Sequence, residues 1–178
     1  MNSTLYLLPS TTTAILAALL LFAPYPSFAQ AKHELLTAAA WNALVAADYG
    51  VAIDRAGECI GEFKEAAGAL QADLERAGKP LPSGGVTGAA RDAILANGPL
   101  NSVATCYFII GEASRLFVRT DPAKFVAARS AYEEAKLGFG RGYNTNGVFW
   151  IPAEKATLRL QAFATVTNSV TPASPPPR

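Results

Sequence analysis

An all-α domain is the fold this sequence predicts, and three observations predict it. Every apolar-periodic segment repeats at steps of three and four residues, none alternates as a strand would, and glycine and proline clusters cut the chain into helix-sized lengths. The expected architecture is about six helices, in two repeat-like hairpins plus a C-terminal capping helix. The segment that organises the rest runs from Pro99 to Ala135. In its first half Leu100, Val103, Tyr107, Ile110, Ser114 and Phe117 form one apolar stripe, and Cys106, Ile109, Ala113 and Leu116 form a second beside it. A helix so patterned is buried on most sides. The remaining strip, Asn101, Thr105, Phe108, Glu112 and Arg115, shares one face and is the expected working surface.

Taken in order, the chain begins with 29 residues that carry no charged side chain. They include the apolar run Ala14 to Ala23, too short to span a bilayer, followed by Ser27-Phe28-Ala29 with small residues where signal peptidase requires them. Residues 1–29 are therefore expected to be a signal peptide cleaved after Ala29, with a periplasmic or secreted product and no stable membrane insertion after cleavage. The folded domain is expected over 30–167. His33 to Ala46 is a short alanine-rich helix, and Asp48 is placed to cap the next one. That helix is the longest, because Tyr49, Ile53, Ala56, Ile60, Phe63, Ala67, Leu70 and Leu74 keep a continuous seam up to Gly78. Ala52, Cys59 and Ala66 flank the seam and let a neighbouring helix approach closely.

Gly78 to Gly85, GKPLPSGG, can only be a loop. Thr87 reads as the N-cap of a short helix to Ala96, and Asn97-Gly98-Pro99 ends it and starts the organising helix. Asp121-Pro122 opens its partner, with Phe125, Ala128, Tyr132 and Ala135 as the buried stripe and Gly138 as its end. Gly138 to Ile151 is rich in glycine yet carries Phe139, Tyr143, Phe149 and Trp150, so it is expected to be packed. Pro152 starts the last helix through Leu158, Leu160 and Phe163. Residues 168–178, ending in SPPPR, read as a disordered Pro-rich tail.

Composition narrows function. The 178 residues are 51% hydrophobic and 16% charged, enough for one domain with a core. A net charge of +1 gives no electrostatic case for nucleic acid. Export would let a disulfide persist between the only two cysteines, Cys59 and Cys106, but both lie on buried stripes. A bridge and two packed free thiols both fit.

The two hairpins repeat a pattern in their second helices: Tyr49, Ala52, Ala56 and Cys59 in one, Phe125, Ala128, Tyr132 and Ala135 in the other. The spacing resembles the tetratricopeptide repeat. Leu36, Ala40, Ala43, the turn at Asp48-Tyr49 and Ala52 fall at that family's intervals, and Gly111 takes the place of the small first-helix residue in the second hairpin. Segments 100–113 and 141–156 resemble a group of exported tetratricopeptide-like proteins. That group usually carries Arg-Cys-Trp-Asp before Gly-x-Phe-Trp-x-Pro-Ala-Glu; here Gly142, Tyr143 and Asn144 replace the Cys-Trp-Asp part, while Gly147, Phe149, Trp150, Pro152, Ala153 and Glu154 match. The resemblance implies a concave ligand-binding face lined by Thr37, Trp41 and Leu44 and by Thr105, Phe108, Glu112 and Arg115.

Catalysis finds little support. The single His33 sits close to the expected mature N-terminus, and mobile ends make poor active sites. No nucleophile or metal set can be built around it. Glu58 and Glu62 are four apart but beside Asp54 and Arg55, which reads as a solvated charged face and not a glycosidase pair. Gly138-Phe-Gly-Arg-Gly142 lacks the strand that a phosphate loop needs. Phe149 and Trp150 could stack on a sugar or peptide, but are expected to plug the open end of the second hairpin against Phe125, Tyr132 or Leu137. The function expected is a non-enzymatic binding or assembly scaffold, without cofactor or metal, taking a peptide or protein partner. The alternative is a cell-envelope glycan-binding factor or carbohydrate-active enzyme using the aromatic loop 143–150.

Overall fold

The computed structural model describes residues 31–82, 85–117, 121 and 123–169, with side chains to 165. The expected signal peptide, Pro122, expected to open a helix, and residues 170–178 of the expected tail lie outside them, while residues 168–169 of that tail belong to the last helix. The fold is all-α, with six α-helices among the described residues: α1 Lys32–Val45, α2 Tyr49–Ala77, α3 Gly88–Leu95, α4 Gly98–Phe117, α5 Lys124–Glu133 and α6 Pro152–Ser169. A π-helical turn, Glu134–Gly138, continues α5.

Local chemistry sets most of these boundaries. Asp48 caps α2 by accepting from the Val51 amide at 3.3 Å. At the other end Gly78 takes the left-handed conformation, φ 61°, that a helix-terminating glycine adopts readily. Asp121 behaves differently from expectation. Its carboxylate accepts from the Ala123 amide within a turn, and α5 begins only at Lys124.

Helix α4 is the centre, packing against each of the other five. Hairpin α1–α2 covers one side of it, where Ala40, Ala43, Ala52, Ala56 and Cys59 meet Cys106, Ile109 and Ala113. Small residues bring these backbones close, while Tyr49, Ile53, Ile60 and Phe63 fill the margins. Ala66, expected beside the seam, is exposed. On the other side α5 approaches at Gly111, where a Cβ would stand 2.4 Å from the Tyr132 ring. Helix α6 then covers α5, with Phe163 4.7 Å from Phe125 and 5.8 Å from Tyr132 between ring centroids. Leu158 of α6 faces outward and is exposed.

The working strip on α4 requires a correction. Asn101, Thr105, Phe108 and Glu112 are 3%, 1%, 6% and 8% exposed, and Arg115 is half-buried. Two hairpins alone would leave that face open; here the segment 139–151 and α6 fold back over it. The aromatic content of the late loop drives this, because Phe139, Tyr143 and Ile151 lose their water contact only by lying on the helices.

The loop is held at every few residues. The Arg141 amide donates to Gln71 Oε1 at 3.0 Å, and its guanidinium to the Lys79 carbonyl. Gly142 presses on α4 so closely that a Cβ would stand 2.8 Å from the Leu100 carbonyl oxygen and 2.6 Å from the Ala104 Cβ. The Tyr143 amide donates to Asn101 Oδ1 at 2.9 Å, and its hydroxyl to the Pro82 carbonyl at 2.8 Å, so one residue ties α4 to the loop after α2. Asn144 and Trp150 then pair across a tight reversal, with amide-to-carbonyl distances of 2.8 and 3.3 Å. Gly147 supplies the positive φ, 79°, at its tip.

This placement corrects part of the expected plug: Trp150 does pack on the second hairpin's cluster of Phe108, Ala128, Tyr132 and Ala135, but it approaches from α1 and does not cover the hairpin's end. Trp150 lies in the groove between α1 and α4, 6.1 Å from Trp41 and 5.1 Å from Phe108. Phe149 packs with Ile94, Tyr143 and Ile151. The end of the second hairpin is covered by α6 instead, and Leu137 is left 71% exposed. No single helix among the described residues is long and apolar enough to cross a membrane; α3 and α4 reach that threshold only as a pair bent by 74°.

Candidate ligand pocket

Where the late loop crosses the groove it does not fill it. A cavity of about 250 Å³ remains between α1, α4 and residues 143–146. Helix α1 contributes Glu34, Thr37, Ala38 and Trp41, which lie one turn apart along one stripe. Helix α4 contributes Asn101, Ser102 and Thr105, and Leu95 closes the end from α3. The fourth wall is Tyr143, Asn144, Thr145 and Asn146.

Several of these groups are already committed. Asn101 braces the wall, its amide donating to the Ile94 carbonyl at 2.7 Å while its oxygen receives the Tyr143 amide. Asn144 Oδ1 accepts from the Asn146 amide at 3.1 Å. Ser102 Oγ bonds His33 Nδ1 at 2.9 Å. Thr37 Oγ1 donates to the His33 carbonyl at 2.8 Å. By contrast Thr105, a residue 1% exposed, lines the cavity with a hydroxyl that takes part in no side-chain hydrogen bond among the described residues.

His33 itself corrects an expectation. It is not on a mobile end but half-buried, edge-on to Phe63 at 5.6 Å, and burial lowers its pKa.

Four of the eight expected binding residues therefore meet at the cavity: Thr37, Trp41, Asn101 and Thr105. The other four do not. Leu44 packs against the α1, α2 and α4 core. Phe108 is covered by Trp150 and Tyr132. Glu112 and Arg115 belong to an ion network centred on the buried Glu112 carboxylate, which accepts from Tyr132 at 2.7 Å, Arg115 at 2.8 Å and Arg159 at 2.5 Å. Burial works against the Glu112 charge, yet hydrogen bonds from Arg159, Arg115 and Tyr132 outweigh it and hold the carboxyl below its ordinary value. The Tyr132 phenol is pushed up in turn, by burial and by the same carboxylate.

Glu34, Ala38 and Ser102 were within reach of sequence reasoning, since they share the helical stripes of Thr37, Trp41 and Thr105. Tyr143 to Asn146 were not, because nothing local states which surface a loop will cover.

The cysteines lie under the same pocket wall. Both thiols are free and buried, and Thr37 Oγ1 stands 3.6 Å from Cys59 Sγ and 3.4 Å from Cys106 Sγ. The hydrogen bond with Cys59, and burial, raise the Cys106 thiol well above its ordinary range. Of the other features weighed from sequence, Glu58 pairs with Arg55 at 2.9 Å and Glu62 with Lys32 at 2.6 Å, all four exposed. The glycines at 138–142 belong to a packed connection after the π turn. No group of three or more His, Cys, Asp or Glu among the described residues is placed to hold a metal ion. Compared with known proteins, the chain matches no family profile, no curated sequence and no solved structure.

Proposed function

We propose that this chain is an exported binding module, not an enzyme, and that its ligand site is the pocket between α1, α4 and residues 143–146. The observation that carries the reading is convergence. Thr37, Trp41, Asn101 and Thr105 come from helices far apart in sequence, and they meet at one cavity with an aromatic wall and polar rim. The hairpins α1–α2 and α4–α5 serve as tetratricopeptide-like supports for that cavity. Support for a non-catalytic role comes from the carboxylates: Glu112 is engaged by two arginines and Glu58 and Glu62 are paired on the outside, which leaves Glu34 at the pocket without the second carboxylate that a glycosidase pair needs.

The groove along α1 and α4 is where a peptide or protein segment would lie, but Trp150 already occupies its aromatic floor. What remains open takes a small polar group, whether a free molecule or the projecting end of a larger one. Ligand-induced stabilisation of the purified protein tests this, using a library of polar metabolites, short peptides and sugars. The expected result is a Tm rise with at least one class, lost in Thr105→Val and Trp41→Phe. Stabilisation that survives both substitutions would place the site elsewhere.

A further inference from the structure

Resting on that reading of the pocket, we propose that its ligand is a neutral monosaccharide unit, free or at the end of a glycan chain. Size comes first. About 250 Å³ lies below the roughly 300–1,000 Å³ of pockets that take drug-sized ligands, so there is room for one ring and not for a run of residues.

Charge comes second. No Lys or Arg lines the cavity, so nothing there would compensate a phosphate, sulfate or carboxylate, and the carboxylate of Glu34 repels one. Apart from the apolar Ala38, Trp41 and Leu95, the rest of the lining side chains are hydroxyls and amides. These groups both donate and accept, as a sugar hydroxyl does, whereas an anion needs donors only and a cation acceptors only.

Geometry comes third. Trp41 presents an indole held in place by Trp150 at 6.1 Å, a rigid apolar wall against which the C–H face of a pyranose packs. Thr105 lines the cavity, and its hydroxyl takes part in no side-chain hydrogen bond among the described residues. Open to the cavity, it is available to a ligand as donor or acceptor. Asn101, locked between the Ile94 carbonyl and the Tyr143 amide, is a positioning residue.

The test is titration calorimetry, with indole fluorescence in parallel, on the purified full chain. The panel comprises neutral hexoses, N-acetylhexosamines, their methyl glycosides, short neutral oligosaccharides, choline and polar tripeptides. One-to-one binding of a sugar with a change in indole emission is expected. Thr105→Val should weaken it about tenfold, the loss of one buried hydrogen bond. Glu58→Gln, on the exposed face of α2 and outside the pocket, should leave it unchanged. Binding of the simple sugar and its methyl glycoside alike, with no gain from longer chains, assigns a free monosaccharide; rising affinity with chain length assigns a glycan terminus.

Binding of choline that is lost in Glu34→Gln, with no sugar bound, overturns the sugar assignment and leaves the pocket standing. Tripeptide binding lost in Thr105→Val does the same. If no probe binds, or if binding is indifferent to Thr105→Val and Trp41→Phe variants that melt like the parent, the pocket reading itself is wrong.

Discussion

Glu112 shows how a residue can be placed on the right face and given the wrong task. Its spacing with Thr105 and Phe108 was legible, and so was its position on the inner surface of α4. That Arg159, forty-seven positions later, would reach it was not, because α6 is brought there only by the packing of the whole chain. The consequence for stability follows from the sign of the pKa displacement. A carboxyl held below its unfolded value of about 4.3 contributes stability that is present above that pH and is lost as pH falls through the folded value. Glu112→Gln should therefore flatten the Tm-against-pH curve below about pH 4.3; an unchanged slope would show that the network contributes nothing. Glu112→Ala leaves the fully buried Tyr132 hydroxyl without its acceptor, which costs about 1–3 kcal/mol. The half-exposed arginines add less, being screened by water. Urea unfolding of both variants measures the loss. Gly111 teaches the opposite lesson, since its smallness was visible in the spacing and its reason is the Tyr132 ring that α5 sets against it.

At the scale of elements, the helices were readable because helical periodicity is local. Asp48, Gly78 and Pro152 each act within one turn of the boundary they set. The late loop was readable only halfway: its aromatics announced burial without saying against what. Trp150, expected to cover the end of the second hairpin, packs on that hairpin's Phe108 and Tyr132 cluster but reaches across to Trp41 of α1, and α6 does the capping. Its truncation still removes packed apolar surface. Trp150→Ala is expected to cost about 2 kcal/mol and to lower Tm by about 4–8 °C, checked by thermal circular dichroism. Gly142→Ala is the sharper probe of where the loop runs. A methyl group there meets the Leu100 carbonyl, which α4 holds fixed, so the loop must lift and the cavity must change shape. Hydrogen exchange at the Tyr143 and Asn144 amides should rise in that variant while α1 and α2 stay protected; equal protection throughout would show that the loop is not pressed on α4.

For the whole molecule, α1, α2 and α4 meet at Thr37, Cys59 and Cys106. Counting N-ethylmaleimide adducts by mass spectrometry should give none in the folded protein and two after guanidinium unfolding, since neither thiol is reachable. Adducts in the folded state would mean that the three helices separate. None in either state would mean that the sulfurs are bridged. The late loop has a last consequence, in competition rather than in packing. A segment tethered beside its own groove faces it at an effective concentration on the order of millimolar, so an intrinsic micromolar fit leaves the groove vacant about one part in a thousand. An external peptide of equal intrinsic affinity would then look about a thousandfold weaker than it is. Protein partners that use this groove would be recruited only when something first draws Trp150 out of it.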